Sequence, residues 1–169
     1  REPFSMFDGY WRDPQRTVDA YQGLWYHTGD TARRRPSGEL EFVDRKSDSM
    51  RRRGENVSSM ELEASIAAHP AVAEVAVHAV PSQQTEDDIK AWIVLAPEAQ
   101  VSSAELFEYF RTTLPYFAIP RYIEILDALP KNAVGRVMKH VLRERGNCAD
   151  TVDFDQLGLS VAPAERRIR

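Results

Sequence analysis

Two apolar stretches, Val72–Val80 (VAEVAVHAV) and Ile89–Leu95 (IKAWIVL), constrain this chain more than any other feature. Apolar side chains recurring every second residue are the mark of a strand with a buried face. The second stretch is the expected antiparallel neighbour of the first. Helical signals surround the pair. Ser58-Ser59-Met60-Glu61 fits a capping box, and its helix runs to about Ala68, where His69-Pro70 stops it. Ser102 and Ser103 with Glu105 open another helix reaching about Thr113, with Leu106, Phe107 and Phe110 facing inward. Arg121–Ile125 reads as a short strand, and Val137–Arg145 as a last amphipathic helix closed by Gly146. The expected fold class is α+β: a few-stranded sheet with helices on its faces.

The first 44 residues are different. They hold turns at Asp8-Gly9 and Asp13-Pro14 and a short helical stretch near Thr17–Tyr21. Trp25–Arg34 and Glu39–Asp44 follow as two strands joined at Pro36-Ser37-Gly38. This hairpin has no core of its own, so residues 1–44, a linker at 45–48 and a domain at 49–146 are the expected divisions. The tail, 147–169, is weakly patterned and expected to be loosely held. The chain opens mid-pattern at Arg1, which leads to the expectation of a fragment.

Composition excludes several roles. With 22 cations against 26 anions the net charge is −4, which disfavours nucleic acid and anionic membranes as partners. No apolar run approaches the ~20 residues that span a bilayer. Cys148 is the single cysteine, so an internal disulfide and a multi-thiolate zinc site are excluded, and a reducing, cytoplasmic setting fits. The four histidines, 27, 69, 78 and 140, lack metal-ligand spacing. Phosphate-cradling GxxxxGK[ST] and GxSxG motifs are absent, as are paired catalytic carboxylates.

Three stretches can carry chemistry, and each has a plainer reading beside it. In Tyr26-His27-Thr28-Gly29-Asp30 the carboxylate follows a glycine, an arrangement able to accept hydrogen bonds from the vicinal hydroxyls of a ribose; it also describes an ordinary turn. Arg45 stands just past a strand, where its planar fork suits a ribose or phosphate oxygen. Arg51–Arg53 could meet phosphates, though taken alone it reads first as a charged strand edge, and Gly54-Glu55-Asn56 is a tight turn feeding the Ser58-capped helix. Finally, the loop Leu129–Lys139 displays Lys131, Arg136 and Lys139 between Pro130 and the following helix. Cations there are suited to charge growing on phosphate and carboxylate oxygens, or simply to a solvated helix start.

Order and spacing say more than any one stretch. Trp25–Asp30, Arg45, Arg53-Gly54-Glu55-Asn56-Val57-Ser58 with Glu61-Leu62-Glu63, and Pro130-Lys131 through Gly135-Arg136 resemble the successive C-terminal signatures of the AMP-forming adenylate-forming enzymes. That superfamily includes acyl-CoA synthetases, nonribosomal peptide adenylation domains and luciferases. Asp44-Arg45-Lys46-Ser47 running into residues 53–63, and then Ile66–Pro70, is most similar to the crotonobetaine/carnitine-CoA ligase branch.

The resemblance implies a C-terminal lid domain preceded by the end of a large N-terminal domain. It implies an acid–thiol ligase that makes an acyl-adenylate from a carboxylate and ATP and then, after the lid rotates, a thioester with CoA. Mg2+ is implied for the parent enzyme, with no ligand identifiable in this chain. Asp30 would hold the ribose hydroxyls of ATP or AMP, assisted by Arg45. Ser47 falls at the hinge, and Gly54, Glu55 and Asn56 would line the channel to CoA. Arg51–Arg53 would meet CoA phosphates, on charge alone. After Gly135 the family places a lysine that orients carboxylate and α-phosphate. Here that position is Arg136, with Lys139 one helical turn on and Lys131 upstream, so the loop cation is left open between them. Without the large domain the chain is expected to be inactive alone. Three alternatives remain: the lid of an adenylation domain loading a carrier protein, a small nucleic-acid-binding module using Arg33–Arg35 and Arg51–Arg53, and a structural interaction domain in which every motif is a turn or a cap.

Overall fold

The computed structural model describes residues 7–23, 25–82 and 86–161. They form two compact units divided between Ser47 and Asp48. In the first unit, α1 (Pro14–Ala20) starts earlier than the sequence suggested, because the Asp13 carboxylate accepts a hydrogen bond from the Arg16 N–H and Pro14 fits the first turn. The expected strand over Trp25–Arg34 is in fact two. β1 (Tyr21–Gln22) pairs with β2 (Trp25–Tyr26), and the chain then turns through His27-Thr28-Gly29. β3 (Asp30–Arg34) and β4 (Leu40–Arg45) form the anticipated hairpin, with a register shift between Thr31 and Ala32. Arg45 is therefore the last residue of a strand rather than a linker residue.

The second unit opens with a tight hairpin, β5 (Met50–Arg52) and β6 (Glu55–Val57). Arg53 and Gly54 between them have φ of 54° and 82°, a turn with both central residues left-handed, which glycine adopts freely and arginine at a cost. Ser58 then caps α2 (Ser59–Ala67) by accepting from the Glu61 N–H. β7 (Val72–Pro81) and β8 (Asp87–Leu95) pair antiparallel, as their alternation required. α3 (Ser103–Thr113) has the full reciprocal capping box between Ser102 and Glu105. It serves as the crossover that lets β9 (Tyr122–Ile125) lie parallel to β8. α4 (Lys139–Arg145) ends at Gly146, and β10 (Val152–Asp153) pairs with β9, giving the sheet order β10-β9-β8-β7.

That last strand corrects the expectation of a loosely held tail. Residues 152–153 complete the sheet, and Phe154 is 1% exposed in the core, where it meets Phe107 and Phe110 edge-on. Residues 162–169 of the same segment, and 1–6 of the N-terminal one, lie outside the described residues.

Strand alternation sorts the core into two layers. Val77, Ile89, Ala91, Ile93 and Ile123 face α2, α3 and the β5–β6 hairpin, packing with Met50, Val57, Leu62, Ile66, Leu106 and Phe110. Ala76 and Trp92 face the other way, onto Leu129 and Leu142 of the α4 side. The second unit thus has a hairpin-and-helix face and an α4 face with the sheet between them.

Candidate functional site

In the first unit Asp30 and Arg45 are ladder partners at the end of the β3–β4 hairpin, and their side chains meet at 2.8 Å. Three further bonds fix the turn before Asp30. The Asp30 N–H donates to Thr28 Oγ1 at 3.1 Å, Arg45 Nη1 to the Thr28 carbonyl at 3.3 Å, and the Lys46 N–H to the Gly29 carbonyl at 2.7 Å. Arg45 engages Oδ1, and Asp30 Oδ2 has no partner among the described residues. The result is a half-exposed carboxylate held by a guanidinium, with one oxygen facing outward as an acceptor.

On the α4 face, residues 130–138 fold into a small exposed loop. Its feet are joined by the Lys131–Val137 bridge and by the Met138 N–H on the Pro130 carbonyl. Asn132 organises its tip, its Oδ1 accepting from the N–H groups of Val134 and Arg136. Gly135 there has φ of 80°. The three loop cations have different environments. Lys131 Nζ lies 2.6 Å from Glu74 of β7. Lys139 Nζ lies 2.8 Å from Glu63, 2.9 Å from Ser59 Oγ and 4.0 Å from Asp48, with its side chain only 16% exposed. Arg136 is exposed, and its guanidinium has no partner among the described residues.

Gly54, Glu55 and Asn56 are exposed at the hairpin on the opposite face. The neighbouring arginines do not act as one charged patch, because alternation splits them. Arg52 points inward with Met50; it is 7% exposed, meets Asp88 at 3.2 Å and donates to the Ile119 carbonyl. Burial lowers its basicity, and Asp88 opposes that. Arg51 and Arg53 stay outside: the Arg51 N–H donates to Asp87 and its side chain approaches Glu86, while Arg53 lies over the Tyr116 ring at 5.5 Å. A cavity of about 230 Å³ beside them is lined by Arg52, Arg53, Tyr116, Arg121 and Asp155 among others. Arg121 binds Asp88, Asp153 and Asp155, and the Asp153 hydrogen bond raises its basicity further.

The sequence reading missed a buried polar network behind α4. Lys90 and Glu124, both fully buried, pair at 2.8 Å. Lys90 also donates to the Gly146 carbonyl and Thr151 Oγ1, and lies 3.8 Å over the Trp92 ring. Arg145 reaches the other Glu124 oxygen at 2.5 Å. Burial pulls the Lys90 ammonium below the usual lysine range, with Glu124 opposing. Burial pushes Glu124 up, but hydrogen bonds from Lys90 and Thr151 outweigh it and leave the carboxylate more acidic than usual. The Trp92 indole N–H donates to His78 Nε2, and burial disfavours protonation of that imidazole. Glu124, Cys148 and Asp150 approach one another closely enough to hold a metal ion. Lys90 and Thr151 hydrogen-bond one Glu124 oxygen and Arg145 lies against the other as an ion pair, so the carboxylate is already held by cations and the network is read as structural. The signal was a lysine and a glutamate inside otherwise apolar strands, each demanding a partner.

Known proteins resemble this chain over most of its length. Residues 61–136 match the family described as AMP-binding enzyme C-terminal domain. A crotonobetaine/carnitine–CoA ligase of Escherichia coli is 36% identical over 140 residues, covering 82% of this chain and 27% of the ligase. An acetate–CoA ligase of Humulus lupulus, CCL3, is 32% identical over 146 residues, 83% of this chain and 26% of that enzyme. The ATP-bound structure of MatB from Rhodopseudomonas palustris has a TM-score of 0.74 at 32% identity, covering 83% of this chain and 28% of MatB. The chain thus spans about a quarter of the curated relatives' length and corresponds to their C-terminal portion. Among the described residues no helix is long and apolar enough to cross a membrane.

Proposed function

We propose, from the premise that residues 61–136 of this chain belong to the AMP-binding enzyme C-terminal domain family, that the chain works as the hinge and lid of an AMP-forming acid–thiol ligase. Its partner in that reading is a large N-terminal domain of the same enzyme, in a cytoplasmic setting that keeps Cys148 reduced. In the first half-reaction a carboxylate oxygen attacks the α-phosphorus of ATP and pyrophosphate leaves with its bonding electrons. In the second, the CoA thiolate attacks the acyl carbon and AMP leaves. Mg2+ would travel with the ATP phosphates, and no residue of this chain is assigned to it.

The observation that carries the reading is the inequality among the three loop cations. Lys131 and Lys139 are tied to carboxylates of their own unit, and Arg136 is the one of the three without a partner among the described residues. Arg136 is therefore assigned as the loop cation, its guanidinium stabilising charge that develops between carboxylate and α-phosphate. Lys139 is withdrawn from that role. Asp30, fixed through Oδ1 by Arg45, offers Oδ2 to the ribose hydroxyls. Ser47, at the division between the units, supplies the pivot. The Arg136 loop and the Gly54-Glu55-Asn56 turn stand on opposite faces of one sheet. That geometry suits a lid that offers one face for adenylation and the other for thioester formation.

The reading makes a direct demand on Asp30. In the full-length ligase, Asp30→Ala removes two hydrogen bonds to a charged group and raises the ATP concentration for half-maximal adenylation ~10–100-fold. An unchanged ATP requirement would remove Asp30 from the nucleotide site. Supplying CoA, a carrier-bound phosphopantetheine thiol or an amine to the pre-formed adenylate then identifies the acceptor.

A further inference from the structure

Asp48 is the first residue of the second unit, one position past the pivot assigned to Ser47. Its side chain reaches into α4: Oδ1 accepts from Arg143 Nη2 at 2.5 Å and Oδ2 faces Lys139 Nζ at 4.0 Å. Lys139 is the first residue of that helix and the immediate continuation of the 130–138 loop. From there the contacts run inward. Lys139 holds Glu63 and Ser59 of α2, and the Glu63 carboxylate accepts the Val77 N–H of β7 at 2.8 Å. β7 is the edge strand of the sheet, so this bond uses an N–H that no neighbouring strand takes. At the other foot of the loop, Lys131 is pinned to Glu74 of the same strand.

We propose that Lys139 is a positioning residue for adenylation. It is the centre of a clamp through Asp48, Arg143, Glu63 and Ser59 that makes the lid-side end of the pivot and the root of the Arg136 loop one rigid piece. The inference rests on the functional reading above, since it gives Lys139 no contact with substrate and lets it act through Arg136. A flexible connection would let the backbone at residue 48 turn while the loop lagged behind. Bonding the first lid residue directly to the loop's root delivers the rotation to Arg136 without loss. The physical stake is placement: an error near 1 Å in a charge-stabilising group costs on the order of 100-fold in rate.

Two variants test the clamp. Lys139→Gln removes its central charge, and Asp48→Asn removes the hinge-side anchor while keeping its shape. The first readout is backbone hydrogen exchange on the present chain, which needs no activity. Both variants are expected to exchange about tenfold faster at residues 131–138, with β7 and β8 unchanged. The second readout uses the full-length ligase. Adenylation is expected to fall ~10–100-fold in both variants, while thioester formation from supplied acyl-adenylate changes far less. Wild-type exchange in the loop, or a uniform rise that includes β7 and β8, would overturn the clamp. So would a parallel loss of both half-reactions, which marks general destabilisation. If Arg136→Ala in the same ligase spares adenylation, the functional reading fails instead, and exchange alone then decides whether the clamp exists.

Discussion

Replacing Arg136 with alanine in the full-length ligase is expected to slow acyl-adenylate formation by about 10²–10³-fold, the usual loss when one preorganised charge-stabilising donor is removed. Thioester formation from acyl-adenylate added to the enzyme should be nearly unaffected, because the proposed reading gives that step to the opposite face of the sheet. Arg136→Lys should keep most of the rate, since the role is electrostatic and the group never forms a bond. Lys131→Ala, by contrast, removes a cation already tied to Glu74 and is expected to cost adenylation far less. Pyrophosphate release with saturating ATP and carboxylate, measured separately from CoA-dependent turnover, distinguishes these outcomes. If Arg136→Ala is harmless while Lys131→Ala abolishes adenylation, the loop's charge has been assigned to the wrong residue.

The second large effect concerns stability. Lys90→Met leaves Glu124 charged and fully buried beside Thr151, with only Arg145 opposite it, and should cost about 3–5 kcal/mol. Pairing it with Glu124→Leu removes the orphaned charge, and the double variant should regain most of that loss. Denaturant unfolding of the chain measures both. A loss below about 1 kcal/mol for Lys90→Met would mean that water or Arg145 replaces the ammonium, and that the pair contributes little. The pair also reads the register of two parallel strands. Lys90 stands opposite Tyr122 and Trp92 opposite Glu124, so a slip of one residue would drive a charge into the layer of Ile89, Ile93 and Ile123.

The parts of the fold that were legible in the sequence are those set by local patterns. β7 and β8 followed from alternation, α3 from Ser102 and Glu105, and the β3–β4 hairpin from Pro36-Ser37-Gly38. What escaped was set by distant partners. β10 has two residues and no pattern of its own. It is held by Arg121 binding Asp153 and by Phe154 reaching Phe107, both far off in sequence. Arg51–Arg53 looked like one patch in a linear reading, yet Met50 and Arg52 share a strand face, so the alternation already implied that Arg52 turns inward. For the proposed site, the sequence pointed to the loops that carry its residues. The choice between Arg136 and Lys139 was not legible, because the two cations stand only three residues apart. Only the positions of Glu63, Ser59 and Asp48, which lie 76 to 91 residues upstream, separate them.

Rotation of the second unit about Ser47 between the two half-reactions is tested most directly by an inter-unit distance. Spin labels at Ser37 in the β3–β4 turn and Val134 at the loop tip, in a full-length ligase carrying Cys148→Ser, report it by dipolar spectroscopy. With ATP and a carboxylate the account predicts one dominant distance, and with a stable acyl-adenylate analogue plus CoA a second, distinct one. A single unchanged distance under both conditions, in an enzyme shown to be active, would contradict it.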